Sequence, residues 1–441
     1  MEGRASFSYP SLSTPAETWY QVHGSLTPST RPIIILHGGP GMTHTYLTEP
    51  VHLHTAHNRT VIFYDQIGCG NSTRFKERRL DTDFWTVELF VAEMNNLIAY
   101  LGLSEFDLLG NSWGGMLGAE YAIRRNAKDP SRGLKRLVLA NSPASMKLWL
   151  RSCDEWRAVL PRDIDETLEK YERAQDYDAE PYRAAVLEFY KRHICRVRHP
   201  DGVQPFREPL MKTMKLLEED DTVYFTMNGP SEFTVIGSLK EWTAIGRLEA
   251  IDVPTLVING EFDEARQVCV EPFARGIKRA EWVTIEGASH CAHIEKTEEY
   301  CNLVQRQLES SAVSVAEFWS KSSKPRSYPV YGASKAGIGP NGLYTITLHS
   351  CLKLEVSQRL FLGRMSRLKT QPLAVSRHLL CFTTVTSGQR SVSTSRVTYR
   401  KASAESIVAR SEKLDGVAEA RCGIIMIEFI PDTYINSPKE A

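Results

Sequence analysis

The stretch DLLGNSWGGM, residues 107–116, joins an apolar run to a pair of glycines through a single serine. Residues 110–114 fit the pattern G-x-S-x-G, with Ser112 at the centre. Small residues on both sides of a serine are typical of a sharp strand-to-helix turn. The run FDLL precedes this motif and the helical pattern MLGAEYAIRRNA follows it. We therefore predict that Ser112 is a nucleophile at the end of a strand. The alternative is a glycine-rich turn with an incidental serine.

Five other short apolar runs also end in turns rich in glycine or asparagine. They are PIIIL (32–36), TVIFY (60–64), RLVLA (136–140), PTLVI (254–258) and EWVTI (281–285). Helical patterns lie between several of them, for example at 85–101 and 114–126. Apolar strands alternating with helices predict the α/β class, with a mostly parallel sheet covered on both faces by helices. Since ligands bind at the carboxyl ends of such strands, the turns after these runs are the expected site.

This alternation of strands and helices stops between residues 143 and 241. The stretch is rich in charged and aromatic residues, and its pattern is helical throughout. We interpret it as a helical cap inserted over the carboxyl edge of the sheet. The predicted organisation is a core at 1–142, the cap at 143–241 and the second part of the core at 242–310.

Residues 311–441 differ in composition from the rest of the chain. Ser and Thr make up 28 of these 131 residues, and 18 Lys and Arg stand against 9 Asp and Glu. Such a composition buries too little apolar surface to offset the entropy of ordering. We predict a basic, Ser/Thr-rich, disordered tail with no part in catalysis. It remains open whether it is an interaction segment or an artefact of the gene model.

Composition excludes several classes of function. The formal net charge is zero, which gives no signal for nucleic acid or an anionic membrane. The nine cysteines form no CxxC pair, so we expect neither a disulfide framework nor a metal site. The chain shows no apolar signal region and no apolar run of about 18 residues. We expect a soluble cytoplasmic protein without a cofactor, and its oligomeric state stays open.

A serine hydroxyl needs a base to accept its proton, usually a histidine oriented by a carboxylate. In folds with this serine turn, the chain order is Ser, then Asp or Glu, then His. Asp263 follows the run PTLVING, and His290 follows WVTIEGAS. We predict a catalytic triad of Ser112, Asp263 and His290. The alternatives along the chain are Glu261, Glu264 and His293.

The sequence HGGPG, residues 37–41, follows the first long apolar run. Its glycines allow the backbone to approach a ligand closely, and their N–H groups can point at a developing oxyanion. We predict an oxyanion hole formed by the N–H groups of Gly39 and Trp113. Gly38 is the alternative donor, and a merely rigid turn is the structural alternative.

Together these residues resemble the proline iminopeptidase family, a group of α/β-hydrolase serine peptidases. The matching stretches are HGGPGMTHTYL (37–47), VIFYDQIGCGNS (61–72), GNSWGG (110–115), MNGPSEFTVIGSLKEW (227–242), NGEFDEA (259–265) and GASHCAHIE (287–295). The resemblance extends over about residues 10–310 and does not include the tail. It implies an α/β-hydrolase core with a helical cap, and the same triad and oxyanion hole. One departure is Asn111, where the family commonly has a small residue.

The resemblance also implies an activity and a way of binding the substrate. Family members remove an N-terminal residue, often proline, from short peptides, and some act on amino-acid amides. Binding of the free α-amine carries over to Glu232 and Glu264. A protonated amine that enters a partly desolvated pocket requires negative charge there, which agrees with this assignment.

Three functions are compatible with these residues. The first is the aminopeptidase implied by the resemblance. The second is an amidase, esterase or thioesterase that acts on an amino-acyl intermediate of a specialised biosynthetic pathway, because one fold supports many chemistries. The third is a hydrolase-like scaffold that only binds a partner, and the complete set of triad residues argues against it.

Overall fold

The chain up to residue 309 is built around an eight-stranded sheet. The computed structural model describes residues 1–125 and 133–309, together with the backbone of four short strands in the C-terminal region. In chain order the strands of the sheet are β1 (Glu2–Phe7), β2 (Ala16–His23), β3 (Ile33–Leu36), β4 (Val61–Tyr64), β5 (Glu105–Asn111), β6 (Gly133–Ala140), β7 (Thr255–Gly260) and β8 (Ala280–Ile285). Their order across the sheet is β1-β2-β4-β3-β5-β6-β7-β8. Strands β3 to β8 run parallel, and β1 and β2 are antiparallel to their neighbours.

Helices lie on both faces of this sheet and in the segment between β6 and β7. They are α1 (His52–His57), α2 (Val87–Tyr100), α3 (Trp113–Arg124), α4 (Met146–Arg157), α5 (Arg162–Ala174), α6 (Glu180–His193), α7 (Glu208–Glu219), α8 (Thr222–Met227), α9 (Gln267–Gly276), α10 (Ala292–Glu295) and α11 (Thr297–Glu309). The two faces follow from β3, whose four residues are all buried. Ile34 and Leu36 belong to one hydrophobic cluster, and Ile33 and Ile35 belong to the other. Continuous apolar strands are needed where helices cover both faces.

The six predicted strands correspond to β3–β8, and the predicted α/β class is confirmed. The sequence analysis missed β1 and β2, the antiparallel pair at one edge. In β1, exposed or partly exposed residues precede and separate the two buried ones, so EGRASF shows no apolar run. An antiparallel edge pair tolerates such a pattern, because one of its faces contacts solvent.

The turn between β5 and α3 has little room for side chains. Ser112 has φ 56° and ψ −124°, which is a strained conformation for a residue with a side chain. A Cβ added to Gly110 would lie 2.1 Å from the carbonyl oxygen of Gly114. A Cβ added to Gly114 would lie 2.1 Å from the carbonyl oxygen of Leu36, at the end of β3. The Ser112 N–H donates to the carbonyl of Ala140 at 2.9 Å, which fixes the turn to β6.

Helices α4 to α8 lie between β6 and β7, within the range predicted to form a cap. Two indole groups of α4 donate to loop carbonyls, one within this region and one in the second part of the core. Trp149 donates to the carbonyl of Glu232 at 2.6 Å, and Trp156 donates to the carbonyl of Asp263 at 2.7 Å. We use the name cap for residues 143–241.

The end of α6 is bonded to the loop that follows β8. The His290 N–H donates to the carbonyl of His193 at 3.0 Å, and the Cys291 N–H donates to the carbonyl of Ile194 at 2.7 Å. Two consecutive backbone hydrogen bonds therefore connect the cap to the loop that holds His290.

The C-terminal region, residues 325–441, forms a separate unit. Two strand pairs are described in it: β9 (Gly337–Ile338) with β10 (Tyr344–Thr345), and β11 (Leu380–Val385) with β12 (Cys422–Ile427), both antiparallel. The predicted disorder of the tail otherwise falls on residues outside those described. None of the helices in the described part of the chain is long and apolar enough to span a membrane.

The contact at Gly114 gives a prediction about stability. We expect Gly114→Ala to lower the free energy of unfolding by about 3 kcal/mol, because the new methyl group would overlap a backbone carbonyl that cannot move away. Chemical denaturation measures this change.

Gly118 in the same helix is the matched control. A Cβ there would meet only side-chain methyl groups of Leu137 and Leu36, at 3.3 and 3.4 Å. We expect Gly118→Ala to change the unfolding free energy by less than about 1 kcal/mol, since alanine also favours the helix. Equal effects of the two substitutions would contradict the close contact at Gly114.

Candidate active site

Ser112 and His290 line one cavity. The cavity is lined by Gly39, Met42, Tyr46, Ser112, Ile194, Leu210, Glu232, His290 and Cys291. Ser112 and His290 are only 8% and 5% exposed. The structure thus brings the predicted nucleophile and base to one cavity, between the sheet and the cap.

Asp263 holds the ring of His290. His290 Nδ1 lies 2.8 Å from Asp263 Oδ1, and both side chains are buried. The carboxylate also accepts from the N–H of Ala265 at 2.8 Å and from Asn141 Nδ2 at 2.6 Å. Because an ionised carboxylate only accepts, Nδ1 carries the proton and Nε2 is left with the lone pair that a general base requires.

The sequence alternatives for the acid and the base occupy other places. Glu261 is exposed and accepts from the N–H of Gly287 at 2.9 Å. His293 lies in α10, where its Nε2 bonds to the carbonyl of Tyr46 at 2.9 Å. Burial lowers the pKa of His293 to about 3, so it stays neutral and its ring supports the backbone of the neighbouring turn.

The HGGPG turn lies beside the serine. Gly39 has φ 108°, a conformation that favours glycine, and a Cβ there would lie 2.7 Å from the backbone nitrogen of Met42. Gly39, Ser112 and Trp113 also line a second cavity. The N–H of Trp113 is in the first turn of α3, where amides lack an intrahelical partner. Both predicted oxyanion donors therefore lie next to Ser112.

Two buried carboxylates lie near His290. Glu232 lines both cavities, and its Oε1 accepts from Tyr224 Oη at 2.8 Å. Glu264 is fully buried, neither of its carboxylate oxygens has a hydrogen-bond partner, and Oε1 lies 3.7 Å from His290 Nε2. Burial raises the pKa of Glu232, while His290 and the hydrogen bond from Tyr224 partly oppose this.

The pKa of Glu264 is raised well above its usual value, first by burial and then by the charges of Glu232 and Asp263. Acidic groups are thus concentrated at one point of the site. A cation that entered there would relieve both the desolvation and the mutual repulsion of the carboxylates.

Sequence reasoning missed the residues that hold Glu232 and Asp263 in place. Trp149 and Trp156 of α4 bond to the carbonyls of Glu232 and Asp263, and Tyr224 bonds to the Glu232 side chain. The two tryptophans are seven residues apart and therefore share one face of a helix. That spacing was the available signal, but nothing in it showed which loops the face contacts.

Residues 31–297 match the family model described as the alpha/beta hydrolase fold, and the chain accordingly belongs to the α/β hydrolases. Within that class, a proline iminopeptidase of Clostridium botulinum is 30% identical over 292 residues, which is 66% of this chain and 94% of that protein. The chain is therefore a member of the proline iminopeptidase family, and the predicted resemblance is confirmed.

Solved structures agree with this placement. The crystal structure of VinJ is similar with a TM-score of 0.63 and 41% identity, over 70% of this chain and 98% of that one. A crystal structure of a proline iminopeptidase from Mycobacterium smegmatis has a TM-score of 0.60 and 39% identity, over 70% of this chain and all of that one. The α/β-hydrolase core is thus shared with both.

The positions of the two histidines lead to a second prediction. We expect His290→Ala to slow labelling of the protein by a fluorophosphonate at least about a thousandfold, because Ser112 loses its base. His293→Gln should change the labelling rate less than about tenfold, since Gln retains a donor for the carbonyl of Tyr46. The second-order rate constant per folded molecule is the measurement. The reverse ranking would make His293 the base.

The raised pKa of Glu264 leads to a third prediction, on stability. The folded state holds this proton more tightly than the unfolded state, whose pKa is near 4.5, so the unfolding free energy falls as the pH rises above that value. Glu264→Gln removes this effect. We expect the variant to be more stable than the wild type by about 1–3 kcal/mol at pH 8, and by less at pH 4.

Denaturation at the two pH values measures this difference. Glu286→Gln is the matched control, because Glu286 is an exposed glutamate of the same region. We expect it to change the stability very little at either pH. A Glu264→Gln variant that is less stable than the wild type at pH 8 would contradict the inference that the buried Glu264 carboxylate destabilises the folded state.

Proposed function

We propose that this protein is a serine aminopeptidase that releases the N-terminal residue, proline in particular, from short peptides or amino-acid amides. Ser112 Oγ attacks the carbonyl carbon of that residue while His290 Nε2 takes the hydroxyl proton. The N–H groups of Gly39 and Trp113 stabilise the oxyanion. His290 then donates the proton to the leaving amine, and an acyl-enzyme remains on Ser112.

Water completes the cycle. It attacks the acyl-enzyme with His290 again as the base, and the free amino acid leaves. Asp263 remains ionised and stabilises the imidazolium that forms in each half of the reaction. The bonds to Ala265 and Asn141 support that charge inside the protein.

The observation that carries this proposal is Glu264, a buried carboxylate without a hydrogen-bond partner beside the base. Burying such a group costs several kcal/mol unless a cation pairs with it. The protonated α-amine of a peptide supplies that cation. Glu232, on the wall of the cavity that contains Ser112, supplies a second carboxylate for the same amine.

The geometry also favours an α-amine over a more distant one. In an N-terminal residue, the amine nitrogen is only two bonds from the scissile carbonyl carbon. Glu264 Oε1 is 3.7 Å from His290 Nε2, so a group bound to this carboxylate is held next to the reacting atoms. A substrate with further residues before the scissile bond would place peptide groups, without charge, against the carboxylates.

The second candidate keeps the serine chemistry and changes the substrate to an amino-acyl intermediate of a biosynthetic pathway. The same pair of carboxylates would bind its amine if that amine is free. The two candidates differ in the leaving group of the substrate. Glu232 and Glu264 would bind the amine of the acyl part, so they select less strongly among leaving groups.

A panel of substrates tests the proposal, and this is the fourth prediction. Prolyl, alanyl and leucyl p-nitroanilides are compared with their N-acetyl forms on the full chain. We expect turnover of the free amines only, with prolyl p-nitroanilide the fastest of the three, and a loss of at least about a thousandfold in Ser112→Ala. Unchanged turnover in Ser112→Ala would end the proposal, and equal turnover of the acetylated forms would favour the second candidate.

Glu232→Gln separates amine binding from chemistry in the same panel. We expect KM for free-amine substrates to rise about tenfold or more, because a hydrogen bond between charged groups becomes a weaker one. The exposed Glu286→Gln is again the control and should leave KM unchanged. A KM that stays constant in Glu232→Gln would remove that residue from the amine site.

A further inference from the structure

Asn111, the residue before the nucleophile, is fully buried at the end of β5. Its side chain is hydrogen-bonded on both sides. Oδ1 accepts from Tyr46 Oη at 2.7 Å, and Nδ2 donates to Asn141 Oδ1 at 3.4 Å. The side chain of Asn111 therefore connects Tyr46 with Asn141, which a small residue in its place would not do.

These bonds continue in both directions. Tyr46 Oη accepts from the N–H of Gly38 at 2.9 Å, and Asn141 Nδ2 donates to Asp263 Oδ2 at 2.6 Å. The result is a chain of four hydrogen bonds from Gly38 through Tyr46, Asn111 and Asn141 to Asp263. The three side chains in the middle are 2% exposed or less. We use the name relay for Tyr46, Asn111 and Asn141.

The direction of the relay is fixed at its two ends. The N–H of Gly38 can only donate, and the ionised Asp263 can only accept. Asn141 must therefore present its Nδ2 to Asp263, and its Oδ1 faces Asn111. Asn111 in turn must present Nδ2 to Asn141 and Oδ1 to the hydroxyl of Tyr46. Hydrogen bonds that all point the same way polarise one another and strengthen.

Each end of the relay adjoins a part of the proposed machinery. Gly38 precedes Gly39, the proposed oxyanion donor, and Asp263 orients His290. The middle of the relay adjoins Ser112 through the peptide bond of Asn111.

We propose that Tyr46, Asn111 and Asn141 are positioning residues. They fix the position of the HGGPG turn relative to Asp263, with Ser112 between the two. This rests on the proposed serine chemistry, but it does not depend on the substrate being a peptide.

A relay of this kind predicts a specific kinetic pattern. Positioning of the oxyanion turn and of the acid matters in the transition state, so a break should lower kcat while KM stays nearly constant. Removing two hydrogen bonds of the relay should lower kcat little more than removing one, because the loss of either bond already uncouples Gly38 from Asp263. A role in stability alone would lower the melting temperature and leave the rate per folded molecule unchanged.

The experiment, which is the fifth prediction, uses Tyr46→Phe, Asn111→Leu, their double variant and Asn111→Asp. The first readout is the rate constant of fluorophosphonate labelling, which needs only the serine machinery. The second is kcat and KM for an activated ester that the wild type hydrolyses. Tyr64→Phe is the matched control, since its hydroxyl is buried without a partner and lies outside the cavity.

We expect Tyr46→Phe and Asn111→Leu each to slow labelling and kcat about 10- to 100-fold, with KM within about twofold of the wild type. The double variant should be no more than about threefold slower than the slower single variant. Asn111→Asp keeps the shape and the bond from Tyr46 but cannot donate to Asn141, so it should be slowed at least as much as Asn111→Leu. Tyr64→Phe should match the wild type.

Unchanged labelling in folded Asn111→Leu, or multiplicative slowing in the double variant, would overturn the relay. If Asn111→Leu does not fold, Tyr46→Phe decides alone, since it removes one oxygen atom and opens no cavity. A wild type that labels but hydrolyses no aminoacyl amide would refute the proposed peptidase and leave the test of the relay intact.

Discussion

The contact between the first turn of α3 and the end of β3 is the constraint on which the site depends. Gly114 lies so close to the carbonyl of Leu36 that no side chain fits between them. The approach forces the chain to turn from strand to helix within one residue, and Ser112 takes up the strained conformation. Ser112 keeps this conformation because β5 and α3 on either side of it are mostly buried, and because its N–H donates to the carbonyl of Ala140 in β6. Ser112 thereby lines the cavity at the N-terminus of α3.

The fold class and much of the site could be predicted because they depend on local patterns. Apolar runs such as residues 33–36 are buried on both faces, so their pattern is continuous, and each ends in a turn that the sequence marks with Gly or Asn. Ser112, Asp263 and His290 stand at such turns. Strand β1 was missed because it is an edge strand with partial burial. Strand β2 is mostly buried, but polar residues such as Glu17, Thr18 and Gln21 interrupt its apolar pattern.

The rest of the site depends on contacts between distant residues, which no local pattern encodes. Tyr46 lies in the stretch HGGPGMTHTYL and Asn141 in the turn after RLVLA, but neither pattern indicates which side chain it bonds to. They become informative only when the sheet places them on either side of Asn111. The same holds for Trp149, whose indole bonds to a loop 83 residues further along the chain. Asn111 was visible as a departure from the family, but its partners were needed to explain it.

The two backbone hydrogen bonds between the end of α6 and the loop of His290 restrict how the cap moves. A cap that opened as one rigid body would break both bonds and displace His290, the proposed base. Access for the substrate is therefore expected through helices that lack this connection, with the end of α6 as the fixed point. The same connection restricts sequence changes in the cap of this protein, because a change that shifts residues 193–194 also shifts His290. New specificity is thus more readily acquired in the cap helices away from α6.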